Sequence, residues 1–245
     1  MTSRLLNPRR RWCAVVRPLL PVLGGTAATS ILDRHHSSVV ELAARVGMTL
    51  QLPNQMVARS PQREWVKAAH RLIGECIRPV YAMNEEQPVS VTIARGRGSC
   101  SQRMAVLEAL ARAHGIATRV RGRMIDGAFW YPRFPRLRAV VPTDVVLAWP
   151  EFWIEEGWVP VSELYDGLCL ASGFSNSSTE TLFDAVARTA VDWGGTSSPS
   201  CDLSVHVRVD LGYFDSRDEL FRLYGQTLCP AARLIADPVL SRRTA

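Results

Sequence analysis

Residues 96–115 read Gly96-Arg97-Gly98-Ser99-Cys100-Ser101-Gln102-Arg103-Met104-Ala105-Val106-Leu107-Glu108-Ala109-Leu110-Ala111-Arg112-Ala113-His114-Gly115. Two glycines lead into a single cysteine. Met104, Leu107, Leu110 and Ala111 then recur at three- and four-residue spacing, the pattern of a helix with one buried face. Gly115 suits the residue just past a helix end. The spacing therefore predicts a helix over 99–114 with Cys100 at its N-terminus. Unpaired N–H groups and the positive end of the helix dipole are found there. That place favours the thiolate, the nucleophilic form of cysteine. The competing reading is a small buried Cys that packs the loop against the helix.

Downstream, Ile116 to Ile125 reads as a strand, with Ala117, Val120 and Met124 among charged neighbours. Residues 126–143 combine Gly127, Pro132, Pro135 and Pro142 with Phe129, Trp130, Tyr131 and Phe134. Such an aromatic loop covers a site or packs as a lid. Residues 144–154 and 157–162 read as two strands joined at Glu155-Glu156-Gly157. Pro150 and Pro160 point to an edge or a bulge rather than a regular central strand. Short helices are expected at 179–190 and 215–225, a flexible loop at 194–200, and a strand over Leu203 to Val209 that carries His206.

Upstream, 30–48 reads as a helix capped by Ser30, with Ile31, Val39, Val40, Leu42, Ala43 and Val46 on its apolar face. His35 and His36 are adjacent, so they face different ways on a helix and are read as surface residues. Residues 61–78 form a second helix. Pro61 lies in its first turn, and Trp65, Ala69, Leu72, Ile73 and Cys76 make the apolar stripe. His70 lies one position off that stripe and is read as structural. Residues 79–99 read as a connection.

The chain has 245 residues and a formal charge of +6, carried by 28 Arg and the single Lys67. That length buries a real core. Arg in place of Lys is not by itself a nucleic-acid signal, and no aromatic-interleaved basic motif of a nucleic-acid module is present. Residues 95–138 hold ten Arg against Glu108 and Asp126, whereas 150–220 is mostly acidic. Around a cleft, the basic group would attract an anionic substrate; otherwise it is a solvated face. The six Cys are far apart without a C-x-x-C pair, against a zinc site or a disulfide scaffold. A reducing, cytoplasmic setting is the expectation. No stretch is long and apolar enough for a membrane span. Arg9-Arg10-Arg11 starts an apolar stretch broken by Arg17, Pro18 and Pro21, which argues for an N-terminal extension over an export signal.

Taken together, Arg95 to Cys100, the helix 105–113, Gly115 to Gly122, Ala148-Trp149-Pro150-Glu151-Phe152-Trp153 and Gly157-Trp158-Val159-Pro160-Val161 resemble the core of the transglutaminase-like superfamily of papain-type cysteine enzymes. The resemblance covers roughly 70 of 245 residues. It implies an α+β fold, with a Cys-bearing helix packed on an antiparallel sheet. The implied division is an N-terminal helical extension at 1–60, the core at 61–170 and a C-terminal extension at 171–245. It also implies a Cys activated by a His, which an Asp in turn orients. Cys100 stands at the nucleophile position, but Leu147 stands at the His position and Ser162 at the Asp position. Leucine accepts no proton, and serine carries no charge.

Three functions are compatible with this pattern. The first is a repurposed cysteine enzyme of specialised metabolism. It would carry out acyl transfer, condensation or cyclisation on a small-molecule or carrier-bound intermediate. Cys100 would be nucleophile or substrate contact. Asp144 and Glu151 are then the nearby candidates for proton transfer, ahead of Glu163 and His206. Trp149 and the N–H groups beside Cys100 would stabilise an oxyanion, and Ser99, Trp130, Leu147 and Ser162 would contact substrate. The second is a non-catalytic binding scaffold. The third is a conventional cysteine amidase or protease with a relocated His. No metal or organic cofactor is implied.

Overall fold

The computed structural model describes residues 22–50, 60–136, 138–165, 174–177, 179–195 and 201–240. The triple-Arg stretch, Cys13, Cys169 and loop positions 196–200 lie outside these described residues. In chain order the elements are α1 (Ser37–Leu50), α2 (Pro61–Cys76), β1 (Arg78–Pro79), α3 (Val89–Arg95), β2 (Arg97–Gly98) and α4 (Cys100–Ala113). Then come β3 (Thr118–Asp126), β4 (Asp144–Ile154), β5 (Gly157–Pro160), α5 (Leu182–Ala185), β6 (Val207–Phe214), α6 (Arg217–Tyr224) and α7 (Pro230–Leu240).

The four longer strands form one antiparallel sheet in the order β5-β4-β3-β6. Helix α4 packs against β3 and β4 on one side, and against α1, α2 and α3 on the other. This is the α+β arrangement the resemblance implied. One hydrophobic cluster runs from Ile31 through α4 and the sheet to Phe221.

Helix α4 departs from the amphipathic expectation. Every residue from Gln102 to Arg112 is buried. A helix sealed all round must satisfy its charged side chains internally. Arg112 Nε donates to Thr118 Oγ1 at 2.7 Å, and its Nη atoms donate to the carbonyls of Ala27, Thr118 and Asp215. Glu108 and Arg217 form an ion pair in which both side chains are 0% exposed. Arg103 pairs with Asp184 at 2.9 Å. Acidic residues of the 150–220 stretch pair with the basic central segment at further points: Arg121 with Asp210, and Arg119 with Glu151.

Several local expectations need correction. Helix α1 begins at Ser37 rather than Ser30. Thr29 Oγ1 takes the Leu32 N–H, and Asp218 takes the Ile31 N–H, so residues 29–34 spend their backbone bonds outside a helix. Ile31 is buried even so, while Val40 points outward. Pro150 lies in β4, an interior strand. Pairing with β5 starts only at Glu151↔Pro160, so Pro150 sits at the open end of that ladder, where a missing donor is tolerated. His206 lies in a 3-10 turn, Ser204–His206, ahead of β6. The Asp202 side chain accepts the Ser204 N–H and turns the chain there. The stretch 79–99 contains α3 and the short parallel β1–β2 pair, both missed from the sequence.

Candidate functional site around Cys100

Cys100 is the first residue of α4, and Ser99 is its N-cap. The Ser99 hydroxyl accepts the Gln102 N–H, and Gln102 Oε1 accepts the Ser99 N–H at 3.1 Å. This reciprocal capping box uses two of the donors at the helix start. The N–H groups of Cys100 and Ser101 carry no hydrogen bond among the described residues. The glycines before them are required by the backbone. Gly96 has φ of 56° as the cap of α3, and a Cβ on Gly98 would lie 2.8 Å from Thr92 Cγ2.

The helix start opens on a cavity of about 450 Å³. That lies within the range of small-molecule sites, roughly 300–1,000 Å³. Its wall is mostly apolar: Met104 and Leu182 on one side, Phe129, Trp130 and Phe134 from the aromatic loop, and Val145 to Trp149 from β4. Polar groups reach it at few points. Ser99, Cys100 and Ser101 supply the helix start, with Arg133, Asn176, Thr181, Thr227 and Glu85 around the rim and floor. Arg133 is already engaged, since it donates to Asn176 Oδ1 and to the carbonyl of Glu180.

The electrostatics run opposite to the helix-dipole expectation. Burial pushes the Cys100 thiol up to about 11, and the nearby Arg103 opposes this only in part. Arg103 is tied up by Asp184 and stacks over the Phe183 ring at 4.1 Å, so its charge is largely spent before it reaches the sulfur. Desolvation outweighs the dipole, which screened surface settings limit to about 1 kcal/mol.

The structure gathers five of the sequence-derived positions on this one cavity: Cys100, Ser99, Leu147, Trp149 and Trp130. Asp144, Glu151 and Ser162 do not line it. Asp144 accepts from Arg208 at 2.7 Å, and Glu151 pairs with Arg119, which is sandwiched between Trp158 and Tyr213. Ser162 is buried in the 3-10 turn that follows β5. The carboxyl that does reach the cavity is Glu85, in the loop between β1 and α3. Its burial raises it to about 7, against the lowering effect of the Thr227 N–H and hydroxyl. Sequence alone offered only the pair Glu85-Glu86 in an apparent connection, with nothing to show which of them turns inward. Among the described residues, no group of three or more His, Cys, Asp or Glu is placed to hold a metal ion.

Behind the cavity wall, His70 is 4% exposed and stacks on Phe183. Its Nε2 lies 2.6 Å from the Phe183 carbonyl and its Nδ1 lies 3.0 Å from the Tyr165 hydroxyl. The carbonyl only accepts, so Nε2 carries the proton and Tyr165 donates to Nδ1. Burial lowers this imidazole from 6.5 to about 4. The unfolded chain takes up the proton near the higher value and the folded chain near the lower one. Stabilisation from the neutral ring is thus complete above about pH 6.5 and is lost as pH falls towards 4. The expected loss is about 3 kcal/mol. Urea unfolding at pH 7 and pH 4 measures it, and His70→Gln is expected to flatten that part of the profile.

Residues 51–162 match the family model described as the transglutaminase-like superfamily. The Cys-bearing helix and the strands that face it fall inside this stretch. No curated protein and no solved structure matches the chain. Among the described residues, no helix is long and apolar enough to cross a membrane.

Proposed function

We propose that this chain is an atypical transglutaminase-like enzyme that acts on an apolar small molecule or a carrier-bound acyl group held in the Cys100 cavity. The chemistry is acyl transfer, condensation or cyclisation, without the Cys–His relay of the family. One observation carries the reading: Cys100, Leu147 and Trp149 line a single, mostly apolar cavity of about 450 Å³. The open N–H groups of Cys100 and Ser101 support it, because unpaired donors beside a sulfur suit the oxyanion of an acyl-transfer step.

A second reading, a binding module with an inert cysteine, is favoured by the thiol's rise to about 11. One experiment separates the two. The protein is incubated with the octanoyl thioester of N-acetylcysteamine. If the enzyme reading holds, the Cys100 sulfur attacks the acyl carbon, the thioester C–S bond breaks, and the thiol proton leaves with the released N-acetylcysteamine. Intact-mass and peptide mapping then find octanoyl on Cys100 in the wild type and not in Cys100→Ser. Absence of Cys100 acylation from pH 7 to 9.5 refutes the acyl-transfer reading and leaves the binding module.

A further inference from the structure

The polar groups around the cavity are mostly committed to protein partners. Asn176 donates to the Phe129 carbonyl at 2.6 Å, and Thr181 donates to Asp184 at 2.6 Å. Ser101 Oγ accepts from Arg217, Thr227 Oγ1 accepts the Val146 N–H, and Ser99 caps α4. Glu85 differs. Oε2 accepts the Thr227 N–H at 2.8 Å and the Thr227 hydroxyl also donates to the carboxyl, yet no cation forms an ion pair with it among the described residues. Its backbone is held firmly: the Glu85 N–H donates to Gln226 Oε1 at 2.9 Å, and Gln226 Nε2 donates to Glu86 Oε2 at 2.6 Å. A carboxyl on a clamped loop, facing an apolar cavity without a counter-ion, is a fixed polar point in an otherwise greasy wall.

We propose that Glu85 is the recognition group of the cavity, and that its clamped carboxyl group hydrogen-bonds to a carbonyl or ether oxygen of an otherwise apolar guest. This deepens the functional reading above and rests on the cavity being a ligand site. The choice of an acceptor oxygen over an ammonium follows from the surroundings. Arg217 and Arg233 act on Glu85 through space, and Arg133 stands in the same wall, so a further cation is disfavoured. The other ionisable groups on the cavity wall are Cys100 and Tyr81; Glu86 follows Glu85 in the chain, and Asp237 on α7 accepts the Met83 N–H. Burial holds the carboxyl at about 7, which keeps the donor form populated near neutral pH.

The test uses the full chain and the fluorophore 6-propionyl-2-dimethylaminonaphthalene. It is apolar, carries one ketone oxygen, and emits further to the red when that oxygen accepts a hydrogen bond. Ala82→Trp, which fills part of the cavity, identifies binding at this place. The guest selects the neutral carboxyl, so affinity is full below about pH 7 and falls as pH rises. The expected wild-type result is A82W-sensitive binding that weakens about tenfold between pH 6 and 8.5, the worth of one hydrogen bond. In Glu85→Gln, whose amide donates at every pH, the profile is expected to be flat. That variant also separates Glu85 from His206, whose ring packs on Phe129 of the wall. A82W-sensitive binding with a flat wild-type profile overturns the role of Glu85 and leaves the cavity reading standing. Absence of A82W-sensitive binding at any pH overturns the cavity reading, and this inference with it.

Discussion

Arg217→Met is expected to lower the free energy of unfolding by about 3–5 kcal/mol, the cost of leaving a buried carboxylate without its partner. Arg217 Nε donates to Glu108 Oε1 at 3.0 Å, and both side chains are fully enclosed. Burial already raises Glu108, and Arg217 is the main group that opposes this. Removing the guanidinium leaves the carboxyl either charged in an apolar interior or protonated at a cost. Arg217 also donates to the Ser101 carbonyl at 3.2 Å, so it steadies the turn that carries Cys100. Adding Glu108→Leu to Arg217→Met is expected to recover most of the loss, because an apolar pair of similar volume needs no counter-ion. Urea unfolding of the two single variants and the double variant measures all three values. Equal losses in the single and double variants would show that the cost comes from packing and not from the stranded charge.

The second large effect concerns sulfur reactivity. At pH 7 Cys100 is expected to react with iodoacetamide about one hundred times more slowly than an unstructured cysteine peptide. The thiol is raised from 9.0 to about 11. Each unit removes about tenfold of the thiolate, and the thiolate is the form that reacts. The rate should climb about tenfold per pH unit up to pH 10. Peptide mapping distinguishes Cys100 from Cys76, Cys201 and Cys229, which are also free thiols. A rate that levels off below pH 8 would mean that the helix terminus outweighs burial after all. Leu147→His is expected to raise the rate at pH 7, since it puts a proton acceptor on the cavity wall that Cys100 shares.

Much of the architecture was legible because it rests on local chemistry. The glycine-led turn into Cys100, the closing Gly115 and the pairing strands on either side of Glu155-Glu156 are each set by a few neighbouring residues. Local rules of capping, glycine conformation and strand alternation describe them well. Trp149 and Leu147 were also reached from sequence, through the family resemblance, and they do share a cavity with Cys100. Glu85 was not. Its importance depends on a clamp from Gln226 and Thr227, roughly 140 residues further along the chain, which no local pattern encodes.

By itself, then, the sequence determined an α+β core similar over residues 51–162 to the transglutaminase-like superfamily, with a cysteine at the head of a central helix and leucine and serine where the resemblance places the His and Asp. Only the tertiary structure decided what that cysteine's surroundings do to it. The ionisation of a thiol or a carboxyl depends on how much water and which distant charges reach it. The packing of Phe183, Arg103 and Asp184 around Cys100, and of the 226–228 loop around Glu85, sets those quantities.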